Sequence, residues 1–85
     1  MVRPVRILLF STARTAVGRA ELPWTVPAEG VPAEALTHAL ADAYPALRPT
    51  LRVSRFVRNG RYLGRKGERV KPGDEFAIHP PYGGG

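Results

Sequence analysis

Eighty-five residues hold one hydrophobic core and not two, and a composition of 44% hydrophobic with 24% charged residues excludes a disordered chain. The absence of cysteine excludes disulfides, thiolate metal sites and a Cys nucleophile, and no apolar run approaches the roughly 18 residues of a membrane helix. The net charge of +6 falls wholly in residues 48–85, nine basic to three acidic, whereas residues 1–47 balance at four of each.

Met1-Val2-Arg3-Pro4 leads directly into a strand-like run, with no signal-peptide pattern, so a cytoplasmic location is expected. Residues 5–11, Val-Arg-Ile-Leu-Leu-Phe-Ser, are mostly apolar and of strand length, as a central strand requires. The two-residue period puts Ile7 and Leu9 on one face and Leu8 and Phe10 on the other. If a helix covers the first face, Leu8 and Phe10 lie on an open sheet surface, and such a patch marks a partner. Thr12 as N-cap and Gly18 as stop predict one or two helical turns between them. Residues 20–26 alternate as a second strand, which Pro23 confines to a sheet edge because it cannot donate to a ladder.

After the loop Pro27-Ala28-Glu29-Gly30, Val31-Pro32 opens the one substantial helix. Its apolar stripe is Leu36, Leu40, Ala43 and Leu47, and Pro45 ends it near Tyr44. His38 falls toward the polar side without a second ligand at metal spacing and reads as a surface residue. Residues 52–58 and 61–64 flank Asn59-Gly60, the strongest short hairpin signal, because a type I′ turn needs positive φ at both positions. A catalytic amide at Asn59 is the alternative that the turn makes unnecessary. Val70-Lys71-Pro72-Gly73-Asp74 is a type II turn, and Glu75–His79 the last strand, with Phe76 and Ile78 pointing into the core and Ala77 and His79 away.

The order strand, turn, strand, helix, then two or three strands predicts an α+β fold. The expected form is a β-grasp: a mixed four- to five-stranded sheet with one main helix on one face and the two most apolar strands at its centre. The domain is expected to span residues 1–79, followed by a flexible tail at 80–85, Pro-Pro-Tyr-Gly-Gly-Gly. A terminal glycine run has two readings. It is either a remnant of cloning, or a narrow, side-chain-free arm that carries its carboxylate into another protein's active site.

No pair of carboxylates stands at acid–base spacing, no Ser-His-Asp set is suggested, and Gly64-Arg65-Lys66-Gly67 lacks the strand–loop–helix setting of a phosphate loop. An enzyme acting alone is therefore disfavoured against a substrate, carrier or adaptor protein. The basic half raises nucleic acid or an acidic protein as a partner. Nucleic acid is the weaker case, since the interleaved exposed aromatics of single-strand binders are missing.

The runs Ile7–Gly18, Phe56-Val57-Arg58-Asn59-Gly60 and Lys71–Pro81, with Pro80-Pro81 shortly before the glycines, resemble the ubiquitin-like sulfur carriers of the MoaD and ThiS type. The Pro-Pro step favours the MoaD-like branch, the small subunits of molybdopterin synthase. The resemblance implies a cycle at the C-terminal carboxylate of Gly85, borne on Gly84. An adenylating enzyme of the MoeB/ThiF type activates it with ATP and magnesium, and a sulfur donor converts it to a thiocarboxylate. A MoaE-like large subunit then takes the tail, and the sulfur passes to a pterin precursor. No cofactor is expected to be bound by the chain itself. A partner-facing patch is implied at Phe10, Tyr62 and His79, with Pro80, Pro81, Tyr82 and Gly83 leading the tail. His79 departs from the aromatic more usual there, the position of Tyr62 is more often aliphatic, and Tyr82-Gly83 stand before Gly84-Gly85 where a small or branched residue often precedes two glycines. Other acceptors for the same chemistry are thiamine, cysteine, tRNA thiolation and protein tagging. A basic β-grasp binding module is the reading from another class.

Overall fold

The computed structural model describes residues 3–64 and 67–81. Its first strand, β1 (Val5–Leu9), lies parallel to the last, β7 (Glu75–His79), at the centre of a five-stranded sheet. The order across the sheet is β2 (Glu21–Trp24), β1, β7, β4 (Arg55–Arg58), β5 (Arg61–Tyr62). All neighbours except β1 and β7 are antiparallel. This is the expected mixed β-grasp sheet with its two most apolar strands paired. Pro23 sits on the edge strand opposite Arg6, where its missing N–H leaves no ladder bond unmade.

One face of the sheet carries the core. Val5, Ile7, Leu9, Leu22, Phe76 and Ile78 point into it and meet Leu36 and Leu40 of α2 (Ala33–Ala43). Phe56 stacks on Phe76 with centroids 5.5 Å apart. Burying each of the larger side chains contributes roughly 1.5–3 kcal/mol. No helix among the described residues is long and apolar enough to cross a membrane.

Several elements depart from the expected boundaries, each for a physical reason. The first strand stops at Leu9 rather than Ser11. Phe10 is the N-cap of α1 (Ser11–Val17), and Ser11 turns the chain with φ 52°. The cap is therefore not Thr12; the turn drives Ala13 into the core, while Gly18, φ 85°, ends the helix as expected.

Val31–Pro32 is a two-residue strand, β3, paired with β6 (Arg69–Val70), and the helix begins only at Ala33. Gly30 makes this pairing possible: a Cβ there would stand 2.6 Å from the Val70 carbonyl oxygen. Tyr44 ends α2 as Pro45 demands, but Ala43 is exposed. Leu47 reaches the core from a separate 3₁₀ turn, Pro45–Leu47.

Arg52 and Val53 belong to an unforeseen helix, α3 (Arg48–Val53), rather than to a strand. Pro49 suits its first turn, Leu51 packs against the core, and the Ser54 hydroxyl donates to the Thr50 carbonyl at 2.7 Å. The strand β4 starts after that, and β5 ends at Tyr62 rather than Gly64.

Both tight turns form as the sequence requires. Asn59 and Gly60 have φ 49° and 83°, and Gly73 has φ 84° with Asp74 N–H donating to the Lys71 carbonyl at 3.0 Å. The two turns are also tied to each other. Asn59 Nδ2 donates to Asp74 Oδ1 at 3.0 Å, and the Glu75 N–H donates to Asn59 Oδ1 at 2.8 Å. The amide of Asn59 is thus engaged in holding β7 against the hairpin.

Candidate functional site: the open sheet face and the tail exit

Among the described residues, no helix lies over the second face of the sheet. Strand alternation and register place on it Glu21 and Pro23 of β2, Arg6 and Leu8 of β1, Glu75, Ala77 and His79 of β7, Arg55 and Val57 of β4, and Tyr62 of β5. The residues sort by chemistry along the strands. At the start of β7 the face is charged: Arg6 forks onto both oxygens of Glu21 at 3.0 and 3.2 Å and reaches Glu75 at 3.1 Å. That hydrogen-bonded pairing holds the Glu21 carboxyl below its ordinary range and the Arg6 guanidinium above its own. These groups are about half exposed, so the ladder mainly sets strand register rather than adding much stability.

At the end of β7 the same face is apolar and aromatic. Leu8 and Val57 flank Ala77 from the two sides. Ala77 is only 6% exposed although it faces away from the core, because its neighbours overhang it. Beyond it, the Phe10 and His79 rings stack, with centroids 4.6 Å apart and 11° between planes. Phe10 remains 42% exposed and Tyr62 66%. Arg55 places its Cζ 5.7 Å from the Tyr62 ring centroid, within cation–π range.

The chain leaves the sheet at this apolar end. Pro80 is buried and Pro81 exposed, and consecutive prolines hold an extended backbone. Of the residues singled out in the sequence, Phe10, His79, Pro80 and Pro81 are therefore brought together at the tail exit, with Tyr62 two strands away on the same face. Tyr82, Gly83, Gly84 and Gly85 lie outside the described residues.

Leu8, Phe10 and His79 were assigned to this face from the two-residue period. Arg55 and Val57 were not recognised as its members, whereas Ala77 was placed on it with His79. The signal for the first two was available: the Asn59-Gly60 hairpin pairs Val57 with Tyr62, so Val57 and Arg55 share the Tyr62 face. Ala77 was placed on the correct side, but its role as the floor between two larger side chains needs the register.

Among the described residues, no three His, Asp or Glu converge as metal ligands. A groove of about 370 Å³ lies elsewhere, between α2 and α3, lined by residues including His38, Asp42, Arg48 and Arg52. His38 is exposed there, in keeping with the surface role read from sequence.

A comparison with protein families matches residues 7–85 to the ThiS family. A molybdopterin synthase sulfur carrier subunit of Dictyostelium discoideum is 30% identical over 86 residues, covering the whole of both chains. The subunit of the same description in Chlamydomonas reinhardtii is 32% identical over 82 residues, 95% of this chain and 98% of its own. Among solved structures, small archaeal modifier protein 1 of Methanosarcina acetivorans superposes with a TM-score of 0.78 at 26% identity, covering 100% of this chain and 99% of its own. The chain belongs to the ThiS family, the ubiquitin-like sulfur carriers of the ThiS and MoaD type.

Proposed function

We propose that this protein is the small, sulfur-carrying subunit of a cytoplasmic molybdopterin synthase, with the carboxylate of Gly85 as its reactive group. The observation that supports this most is continuity. The apolar end of the open face, centred on the Phe10–His79 stack, runs directly into the Pro80-Pro81 exit of the tail. A partner that grips Phe10, His79 and Tyr62 thereby gains the tail with it. Pro80 and Pro81 give that tail a direction, and Tyr82, Gly83 and Gly84 carry the terminus into the partner's active site.

The chemistry follows from the carboxylate being a poor electrophile. An adenylating enzyme of the MoeB/ThiF type, using ATP and magnesium, forms an acyl-adenylate on Gly85 and releases pyrophosphate. A sulfur donor displaces AMP and leaves a thiocarboxylate. A MoaE-like large subunit receives it, and the tethered sulfur reacts at high effective concentration. After transfer to the pterin precursor, the carboxylate is regenerated with an oxygen from water. Full-length similarity to two subunits described as molybdopterin synthase sulfur carriers supports this choice of acceptor.

Incubation with the adenylating enzyme, ATP, magnesium and a sulfur source should raise the intact mass by one oxygen-to-sulfur exchange. Removal of Gly84 and Gly85 should abolish the gain; a truncated chain that still takes up sulfur sinks the proposal. Similarity to an archaeal modifier protein supports a second reading, in which the activated tail is joined to another protein. A covalent adduct of the chain in place of the sulfur exchange would favour it.

A further inference from the structure

We infer that Arg55 is a recognition residue of the open face and that the surface receiving the tail presents a carboxylate to it. The inference rests on the carrier reading, which identifies the large synthase subunit as the protein that docks here. Four side chains form a row across the tail end of the sheet. Phe10 of β1 stacks on His79 of β7, His79 is the register partner of Arg55 on β4, and Arg55 stands over the Tyr62 ring on β5. The row places one cation between aromatic groups on the surface a partner would cover.

Arg55 differs from the other cation of this face. Arg6 is saturated by Glu21 and Glu75 at the opposite end. Among the described residues, the Arg55 side chain meets no carboxylate and makes no hydrogen bond; the contact it makes is with the Tyr62 ring. Docking an apolar surface over Leu8, Val57, Phe10 and Tyr62 would strip water from the guanidinium. A buried, unpaired charge is strongly unfavourable, so a matching partner must supply an acceptor. A carboxylate fits, because its two oxygens take the parallel N–H groups of the guanidinium and leave the ring contact intact.

A second copy of the chain is a poorer occupant. The face's own carboxylates are already engaged by Arg6, and facing copies would add like charges. The excess of basic residues in 48–85 points the same way, toward an acidic partner.

The test is a calorimetric titration of the full chain with the large synthase subunit from the same genome, at low and high salt. Wild type is compared with Arg55→Lys, Arg55→Ala and Arg55→Glu, each confirmed as folded by circular dichroism. The expected loss at low salt is about tenfold for Arg55→Ala, larger for Arg55→Glu and smaller for Arg55→Lys. The gap between wild type and Arg55→Glu should narrow as salt rises. Arg55→Ala and Arg55→Glu binding within twofold of wild type would overturn the carboxylate contact and leave the carrier reading standing. A wild-type chain that does not bind the subunit at all overturns the carrier reading itself. A wild-type dimer broken by Arg55→Glu, or single-stranded RNA binding lost in that variant while subunit binding is unchanged, would give the face to another occupant and overturn the proposal.

Discussion

Gly30 shows how one residue without a side chain sets the path of the second half of the chain. Its φ of 79° lies in the left-handed region, and its Cα passes so close to β6 that an added Cβ would meet the Val70 carbonyl oxygen at 2.6 Å and Lys71 Cγ at 2.9 Å. Gly18 has a similar φ of 85° but open space around it. The two glycines therefore separate conformation from contact. Gly18→Ala should cost about 1–2 kcal/mol, the left-handed penalty alone. Gly30→Ala should cost about 2–4 kcal/mol, since backbone displacement is added. Urea unfolding of both variants measures this, and equal losses would contradict the close approach of β3 and β6. Asn59 and Gly73 were readable at this scale because tight turns impose φ requirements that few residues meet. Gly30 was read only as part of a loop, because the carbonyl it accommodates is forty residues away in sequence.

Across the strands, the ladder Glu21–Arg6–Glu75 joins β2, β1 and β7 on the open face. Because the pairing lowers the Glu21 pKa in the folded chain, its contribution is present above the ordinary carboxylate range. It is lost as pH falls through that range and below it. Glu21→Gln should therefore melt slightly below wild type at neutral pH, with the gap closing on acidification and shrinking in high salt. A gap that stays constant from neutral pH to about pH 2 would show that Glu21 acts by packing, not by charge.

Strands dominated by apolar residues, β1 and β7, were readable from composition, and the Asn-Gly hairpin was readable from its turn. The helix α3 was not. Arg52 and Val53 carry strand-like alternation into Arg55, whereas Pro49 in the first turn, the packing of the partly buried Leu51 against the core and the Ser54 bond to Thr50 favour a helix there. The tertiary contact outweighed a local β preference.

At the scale of the whole molecule, the fold leaves one sheet face open and sorts it into an ion-paired end and an apolar, aromatic end, with the tail leaving from the second. The open face was foreseeable, because one amphipathic helix covers one side of a sheet. Its sorting was not, because that depends on the register among five strands rather than on any one of them. The same arrangement explains why a chain without cysteine can serve a sulfur-carrier family. The reactive position is expected at the main-chain terminus, and on the proposed function the folded part would hand that terminus to a partner.

The most direct measurement follows the sulfur onward. The chain is first loaded as its thiocarboxylate, then mixed with the large synthase subunit and the pterin precursor, and its intact mass is followed against molybdopterin formed. We predict that the mass returns to that of the carboxylate form as molybdopterin appears in proportion. A chain that keeps its sulfur in the presence of both, or loses it without molybdopterin forming, would contradict the account.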